Sequence, residues 1–239
     1  PVNIGQFTHR GLVRELNEDT VWADPETGLF VVADGMGGHL AGEVASAEAV
    51  RLIRKHLSLH GLSQESVREA FLVANREILR MSRTDESLQG MGTTVSLAAL
   101  AGMTLVWGHV GDSRIYLLRD GGIRQITRDH TMVEELVTQG AISPEEARVH
   151  PRKNVLIRAL GTEDSLLVDV GTEPLLPGDL LLLMSDGVYS YLDDGELTLQ
   201  MDTPDLEQAA EQLKQYILDR GAQDNLSFVA VRIGDNGHE

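Results

Sequence analysis

The sequence predicts an α+β fold with largely antiparallel sheets. Strand-like apolar runs and amphipathic helical stretches occur in separate blocks instead of alternating along the chain. Ala101-Gly102 and Asp120-Gly121 stand between neighbouring strand-like segments, where short hairpin turns are expected. The 239 residues are 42% hydrophobic, which is enough to fill a substantial core. Two such sheets stacked face to face need helices to cover their outer faces.

The first block holds three predicted strands and two predicted helices. The strands cover 2–7, 20–23 and 29–33. The first helix spans about 42–60, and the second follows a capping sequence that starts at Ser63. Apolar residues recur at three- and four-residue steps in both helices, which predicts one buried face on each. These faces contain Val44, Ala47, Val50, Ile53 and Leu57 in the first helix, and Val67, Phe71, Ala74, Ile78 and Met81 in the second.

Strands predominate in the second block. They are predicted at 93–100, 103–110, 114–118, 122–127, 166–170, 180–184 and 226–233. A helix precedes the last strand, with Leu206, Ala210, Leu213 and Ile217 on its apolar face. The polar residues after Ile233 are predicted to be a frayed tail.

Residues 131–148 differ in character from the rest of the second block. They are predicted to be helical and strongly acidic, and the basic stretch 148–153 follows them. This pattern predicts an exposed insertion. No linker composition or fixed repeat divides the chain, so we predict one domain.

Aspartates lie at one end of four strand-like runs that are far apart in the sequence. These residues are Asp34, Asp112, Asp186 and Asp224. If the strands share one core, the carboxylates converge, and converging carboxylates need cations to neutralise them. Carboxylate, carbonyl and water oxygens favour Mg²⁺ or Mn²⁺ over zinc. The sequence therefore predicts a metal site.

Composition excludes several classes of protein. The formal charge of −17 argues against nucleic acid or an anionic membrane as a partner. The absence of cysteine excludes disulfides and every cysteine-nucleophile mechanism, and it suits a reducing cytoplasm. The N-terminal residues do not resemble a signal peptide, and no apolar run is long enough to span a bilayer. We therefore expect a soluble, cytoplasmic chain, which could be a domain of a longer protein.

An ordered set of short motifs carries a family resemblance over nearly the full chain. The set is Arg14 with Glu18-Asp19, Asp34-Gly35-Met36-Gly37-Gly38, Gly92-Thr93-Thr94, Gly111-Asp112-Ser113-Arg114, Thr127-Arg128-Asp129-His130, Ser185-Asp186-Gly187 and Asp224-Asn225. No single motif is specific, but their order and spacing are. The chain resembles the metal-dependent protein serine/threonine phosphatases of the PP2C type, in their compact bacterial form.

The resemblance implies a four-layer α-β-β-α sandwich formed by residues 1–239, with a flap at about 132–153 and a two-metal centre at one edge. It implies that Asp34 bridges both ions and that Asp186 and Asp224 complete the first ion's ligands. The Gly35 carbonyl contributes to the second ion, and Asp19, together with Glu18, holds metal-bound waters. Asp112 and Asp186 match the place of a third, weaker ion in some bacterial members.

The resemblance also implies an activity. The chain is expected to hydrolyse phosphoserine and phosphothreonine on proteins by direct attack of a water shared by two Mn²⁺ or Mg²⁺ ions. Arg14 would bind two oxygens of the phosphoryl group through its planar guanidinium. The expected catalytic set is Arg14, Asp34, Asp186 and Asp224. A serine/threonine kinase would oppose it, and we expect a monomer. We also hypothesise that the charged flap selects among phosphoproteins.

One departure from the family pattern and one rival function remain open. Eukaryotic relatives carry a histidine where this chain has Met36, so either His39 or a metal-bound water would protonate the leaving group. A dinucleotide fingerprint fails at Leu40, and neither Ser113 nor Ser185 lies in a nucleophile elbow. The remaining rival is a phosphatase fold with weak catalysis that acts as a signalling or binding module.

Overall fold

The structure is a computed structural model, and it describes residues 3–235. The strands are β1 (Asn3–His9), β2 (Asp19–Asp24), β3 (Leu29–Met36), β4 (Gly92–Thr93), β5 (Val95–Ala101), β6 (Thr104–Val110), β7 (Arg114–Arg119), β8 (Gly122–Gln125), β9 (Asp169–Pro174), β10 (Leu180–Met184) and β11 (Leu226–Arg232). The helices are α1 (Ala41–His60), α2 (Gln64–Thr84), α3 (Met132–Thr138), α4 (Pro144–Arg148), α5 (Asp186–Tyr189), α6 (Asp194–Met201) and α7 (Leu206–Leu218).

The strands form two antiparallel sheets. The first has the order β1-β11-β10-β7-β8, and the second has the order β2-β3-β5-β6-β9 with β4 added beside β3. Every pairing recorded within the sheets is antiparallel. The hairpin turn predicted at Asp120-Gly121 is confirmed, with positive φ at both residues. The hairpin predicted at Ala101-Gly102 turns one residue later, at 102–103, because Ala101 pairs with Thr104.

Side-chain alternation along the strands builds three apolar layers. On β3, Phe30 and Val32 face the opposite sheet, where they meet residues such as Leu183 and Val229. Leu29 and Val31, on the other face of β3, pack against α1 and α2. Because both faces of the central strands are covered, they are continuously apolar. The expected four-layer α-β-β-α sandwich is confirmed.

The helices cover the outer faces largely as their patterns predict. Ser63 caps α2 through a hydrogen bond from the Ser66 N–H, as predicted. The apolar faces predicted for α2 and α7 lie in the core, with Met81 only partly buried. On α1, Ala47 is exposed, which contradicts the prediction. The buried side of α1 instead carries Ala41, Ala45 and Ala49, whose small side chains let the helix lie close to the sheet.

Several predicted boundaries were wrong. β3 continues past Ala33 to Met36, because Gly35 and Met36 pair with β4. The strand predicted at 166–170 lies at Asp169–Pro174, since Leu166 and Val168 reach the core from a loop. The helix predicted over 131–148 is two short helices, interrupted where Gly140 adopts φ 74°.

Some features lie outside the predictions or outside the described residues. The short helices α5 and α6 were not predicted from the sequence. Residue 2 of the first predicted strand and most of the predicted tail fall outside residues 3–235. Among the helices within 3–235, none combines the length and hydropathy that crossing a membrane requires.

Candidate metal centre

A cleft of about 280 Å³ opens at one end of the apolar layer between the two sheets. It lies where β3 and β10 end and β11 begins, so these strands deliver their terminal side chains into it. The predicted site residues on its lining are Arg14, Asp34, Gly35, Asp112, Asp186 and Asp224. The other lining residues are Glu18, Met36, Gly37, Thr94, Asn154, Leu156 and Asn225.

Three of the predicted aspartates come together as a compact cluster. One carboxylate oxygen from each of Asp34, Asp112 and Asp186 lies within 4.8 Å of the other two. Asp34 follows Phe30 and Val32 on the face of β3 that points between the sheets, which explains its direction. The sequence-based expectation that strand-end aspartates converge is confirmed for these three residues.

Asp19 lies behind this cluster, in the closed end of the layer. It is paired with Asp34 in the register of β2 and β3. The Ser227 hydroxyl, on β11 of the opposite sheet, donates a hydrogen bond of 2.6 Å to Asp19 Oδ2. Asp19 is therefore buried and held from both sheets beside the cleft, not on its lining.

Burial and mutual repulsion make this group of carboxylates costly to ionise. Burial is the main cause of the raised pKa at each of Asp19, Asp34, Asp112 and Asp186. The pKa of Asp19 rises to about 7. The charges of the neighbouring aspartates raise the pKa of Asp34 further, well above its ordinary value. Burial also raises the pKa of Glu18. A cation in the cleft would relieve this penalty.

The carboxylates fit a hard divalent metal ion. Among the described residues, Glu18 Oε2, Asp19 Oδ1 and Asp186 Oδ1 are buried oxygens without a hydrogen-bond partner. Buried polar atoms are normally paired, so unpaired oxygens beside an acidic cluster call for a ligand. All of these potential metal-ligand atoms are oxygens, which suits Mn²⁺ or Mg²⁺.

Arg14 and Asp224 stand at the mouth of the cleft. Arg14 Nε lies 3.5 Å from Asp224 Oδ1, and 58% of the Arg14 side chain is exposed. A single long contact leaves most of the guanidinium donors facing solvent. Arg14 is thus a cation beside the carboxylate cluster that is free to meet an incoming anion.

Gly35 is required for close approach of the backbone. A Cβ atom at this position would overlap the carbonyl oxygen of Gly42 and crowd that of Glu18. The Gly35 N–H already donates to the Glu18 carbonyl at 3.1 Å. Gly35 therefore lets the loop that carries Glu18, and the first turn of α1, meet the end of β3.

Asn225 lines the site, but the sequence pattern assigned it no role. Its amide nitrogen donates to the carbonyls of Arg10 and Leu16, both at 2.8 Å. The oxygen of the same side-chain amide, Oδ1, accepts from the Glu18 N–H at 2.9 Å. Asn225 therefore clamps the loop that carries Arg14. Its position directly after Asp224 in a motif was the available signal.

A buried polar network beneath the cleft was also missed. The Asp34 N–H donates to Thr94 Oγ1 at 3.1 Å, and Thr94 Oγ1 lies 2.9 Å from Ser113 Oγ. Ser96 Oγ donates to Ser113 Oγ at 3.1 Å and also contacts His109 Nδ1 at 2.9 Å. Burial lowers the pKa of His109 to about 4, so its imidazole is neutral. These groups fix the backbone at Asp34.

His39 is not brought into the cleft. It is exposed, with a φ of 51°, and it is not among the cleft-lining residues. Met36 lies on the lining in its place. Of the two proton donors considered from the sequence, this placement favours a water molecule over His39.

Comparison with known proteins identifies the family. The profile of the protein phosphatase 2C family matches residues 13–228. The serine/threonine phosphatase stp of Listeria monocytogenes is 38% identical over 236 residues, which cover 94% of this chain and 93% of that protein. The protein phosphatase PhpP of Streptococcus pneumoniae is 35% identical over 218 residues, or 88% of each chain.

Solved structures agree with the sequence comparison. The catalytic domain of PstP, solved in complex with two manganese ions, superposes with a TM-score of 0.89 at 35% identity, covering 98% of this chain and 99% of that one. Stp1 from Staphylococcus aureus gives a TM-score of 0.91 at 33% identity, with coverage of 98% and 95%. The chain therefore belongs to the protein phosphatase 2C family of metal-dependent serine/threonine phosphatases.

Proposed function

We propose that this chain removes phosphate from phosphoserine and phosphothreonine in proteins, using the cleft around Asp34 as its active site. The carrying observation is the cluster of Asp34, Asp112 and Asp186 carboxylates within 4.8 Å, next to the solvent-facing guanidinium of Arg14. A buried acidic cluster is suited to divalent cations, and both divalent cations and an arginine stabilise the phosphoryl group of a phosphomonoester during hydrolysis. One site offers both.

The residues divide into metal ligands and a phosphate ligand. We propose that Asp34, Asp186 and Asp224 hold two Mn²⁺ or Mg²⁺ ions, with the Gly35 carbonyl as a further ligand and Asp19 and Glu18 holding their waters. Asp112 with Asp186 would hold a third, weaker ion. When bound, paired ions of this kind supply a water acidic enough at neutral pH to attack phosphorus. Arg14 orients the phosphoryl group, and the Asp34 backbone is kept in place through Thr94.

The test is phosphate release from a phosphothreonine peptide with Mn²⁺, with Mg²⁺ and with chelator. We expect turnover with either metal and none with chelator. Folded protein that shows no turnover with any metal would contradict the proposal and favour the rival function, a signalling or binding module.

Replacing Arg14 with alanine is expected to weaken substrate binding more than it slows the chemical step. A charge-assisted pair contributes about 1.5–3 kcal/mol, so kcat/KM should fall roughly 10- to 100-fold, mainly through KM. Arg14→Lys keeps the charge but loses the planar guanidinium, so its decrease in kcat/KM should be intermediate. Steady-state kinetics on one phosphopeptide measure this. Arg10→Ala, an exposed arginine on the same loop, is the control; an equal loss there would contradict the assignment.

We propose that residues 1–239 form one catalytic domain and that 132–153 act as a flap which selects substrates. Glu134 and Glu135 lie within 3.5 Å and 3.4 Å of Arg128. Arg152 and Lys153 are exposed and directly precede Asn154, which lines the cleft. The flap therefore presents positive charge to a substrate near the cleft.

Reversing these two charges is expected to change substrate preference. Arg152→Glu with Lys153→Glu should lower kcat/KM on phosphopeptides with acidic flanks by roughly tenfold relative to neutral ones, since each surface contact contributes up to about 1 kcal/mol. Lys55→Glu with Arg68→Glu makes the same charge change on α1 and α2, away from the cleft. Unchanged relative rates in the flap variant would refute flap selection.

We further propose a serine/threonine kinase as the opposing enzyme, because a phosphoester that is hydrolysed must first be formed. A monomer in the cytoplasm fits the charge of −17 and the absence of cysteine. Light scattering would test the monomer, and fractionation of cells would test the location. Phosphopeptides that accumulate when the phosphatase is deleted, and disappear when a kinase is also deleted, would test the partner.

A further inference from the structure

His130 is a buried histidine that the proposed chemistry does not use. It is 3% exposed and lies two residues before the start of α3. It makes two hydrogen bonds with Gly111, the residue before Asp112. The His130 N–H donates to the Gly111 carbonyl at 2.8 Å, and the Gly111 N–H donates to His130 Nδ1 at 3.0 Å.

These contacts fix which ring nitrogen carries the proton. Because the Gly111 N–H donates to Nδ1, that nitrogen presents its lone pair and the proton resides on Nε2. Nε2 lies 2.8 Å from Asp169 Oδ2, which accepts this proton. Asp169 is itself held by Arg158, whose Nη1 donates to Asp169 Oδ1 at 3.1 Å and also lies 3.2 Å from His130 Nε2. The imidazole is therefore anchored on both sides, in one tautomer and one orientation.

Gly111 has little freedom between its neighbours. Its φ is 108°, a left-handed conformation that favours glycine, and a Cβ atom here would lie 2.6 Å from Thr94 Cβ. Thr94 is the residue that accepts the Asp34 N–H. The peptide before Asp112 is thus held between His130 and Thr94, the residue that supports the Asp34 backbone. The Asp112 carbonyl is fixed as well, by the Tyr189 hydroxyl at 2.8 Å.

His130 also reaches the chain that leaves the flap. Its carbonyl accepts from the Ile157 N–H at 2.9 Å. The preceding residue, Leu156, lines the cleft. One residue therefore joins the Asp112 loop to the opposite wall of the site.

We propose that His130 is a positioning residue that, through its Nδ1 contact with Gly111, holds the Asp112 carboxylate in the geometry needed to bind the third, weaker metal ion. The inference rests on the proposed function, since it assigns Asp112 to that ion. Groups that orient a metal ligand typically change metal affinity by about 10- to 100-fold when removed.

Two substitutions distinguish the contact of Nδ1 with Gly111 from the contact of Nε2 with Asp169. His130→Asn places an amide oxygen near the position of Nδ1 and can still accept from the Gly111 N–H, but it does not reach Asp169. His130→Gln places its amide near the position of Nε2 and can still reach Asp169, but it gives up Gly111. Calorimetric titration of the metal-free chain with MnCl₂ measures the weakest binding event. We expect it to weaken about tenfold or more in His130→Gln and to stay close to the parent value in His130→Asn.

Thermal unfolding of both variants separates positioning from stability. Both lose the imidazole, so a purely structural role predicts similar losses of stability and of Mn²⁺ binding in the two. Equal weakening in both variants, or none in His130→Gln, would overturn the proposal. If His130→Gln does not fold, His130→Leu replaces it, because leucine fills much of the same space but offers the Gly111 N–H no acceptor; unchanged Mn²⁺ binding there would likewise overturn the proposal.

Asp112→Asn distinguishes this inference from the function on which it rests. It should abolish the weakest Mn²⁺ event, and retention of that event would refute the role of His130 because Asp112 would not be a ligand. The proposed phosphatase activity does not depend on that result. It is judged by metal-dependent phosphate release in the parent chain.

Discussion

Asp34→Asn is expected to abolish metal-dependent phosphate release while making the metal-free protein more stable. Losing the central carboxylate removes several kcal/mol of transition-state stabilisation, so kcat should fall by about 10³-fold or more. The same change removes one buried ionisable carboxyl group from a group whose members raise one another's pKa values, so the folded chain no longer has to suppress its ionisation. The unfolding midpoint in chelator should therefore rise. Phosphopeptide kinetics with Mn²⁺ and thermal unfolding with chelator measure the two effects.

The matched control for Asp34→Asn is Asp120→Asn. Asp120 lies in the turn between β7 and β8, at the end of those strands away from the cleft, and asparagine tolerates its φ of 52°. The control should leave both turnover and the midpoint near the parent values. Turnover retained in Asp34→Asn would remove this residue from the catalytic centre.

The pH dependence of stability should change sign when Mn²⁺ is added. Burial raises the pKa of Asp19 from the ordinary aspartate value of 3.8 to about 7, so the folded chain retains a proton that the unfolded chain has lost. Stability from this group is therefore greatest at low pH and is lost as the pH rises from about 4 to about 7. Metal binding favours the ionised carboxylates and is strongest above that range.

Thermal unfolding between pH 5 and 8 tests this reversal. In chelator the midpoint should fall by several degrees as the pH rises, since 1 kcal/mol shifts a domain of this size by roughly 2–4 °C. With Mn²⁺ at about 1,000 times its dissociation constant, binding should add about 4.1 kcal/mol at the upper end of the range, which outweighs the loss from Asp19.

Asp19→Asn provides the internal comparison, because it keeps an acceptor for the Ser227 hydroxyl and removes the titration. Its metal-free midpoint should vary less with pH than that of the parent. Identical slopes for parent and variant would assign the effect to other groups.

The fold class and much of the site could be predicted because the signals are local. The apolar runs at β3, β10 and β11 identify central strands covered on both faces, and their flanking aspartates were recognisable for that reason. Where prediction failed, packing overrode local pattern. Ala47 fits the apolar period of α1 but faces solvent. Asp34-Gly35 has the composition of a turn but continues β3, because β4 pairs with it.

Sequence by itself determined the chemistry available to this protein: carboxylate oxygens, an arginine and no thiol. Those facts follow from residue identity and hold in any conformation. Only the tertiary structure decided how the groups are held. Ser227 reaches Asp19 across 208 residues of sequence, and Asn225 reaches Glu18 across 207. Such contacts depend on how two sheets stack, and no local pattern encodes that distance. For the same reason, the contacts of His130 with Gly111 and Asp169 became visible only in the folded chain.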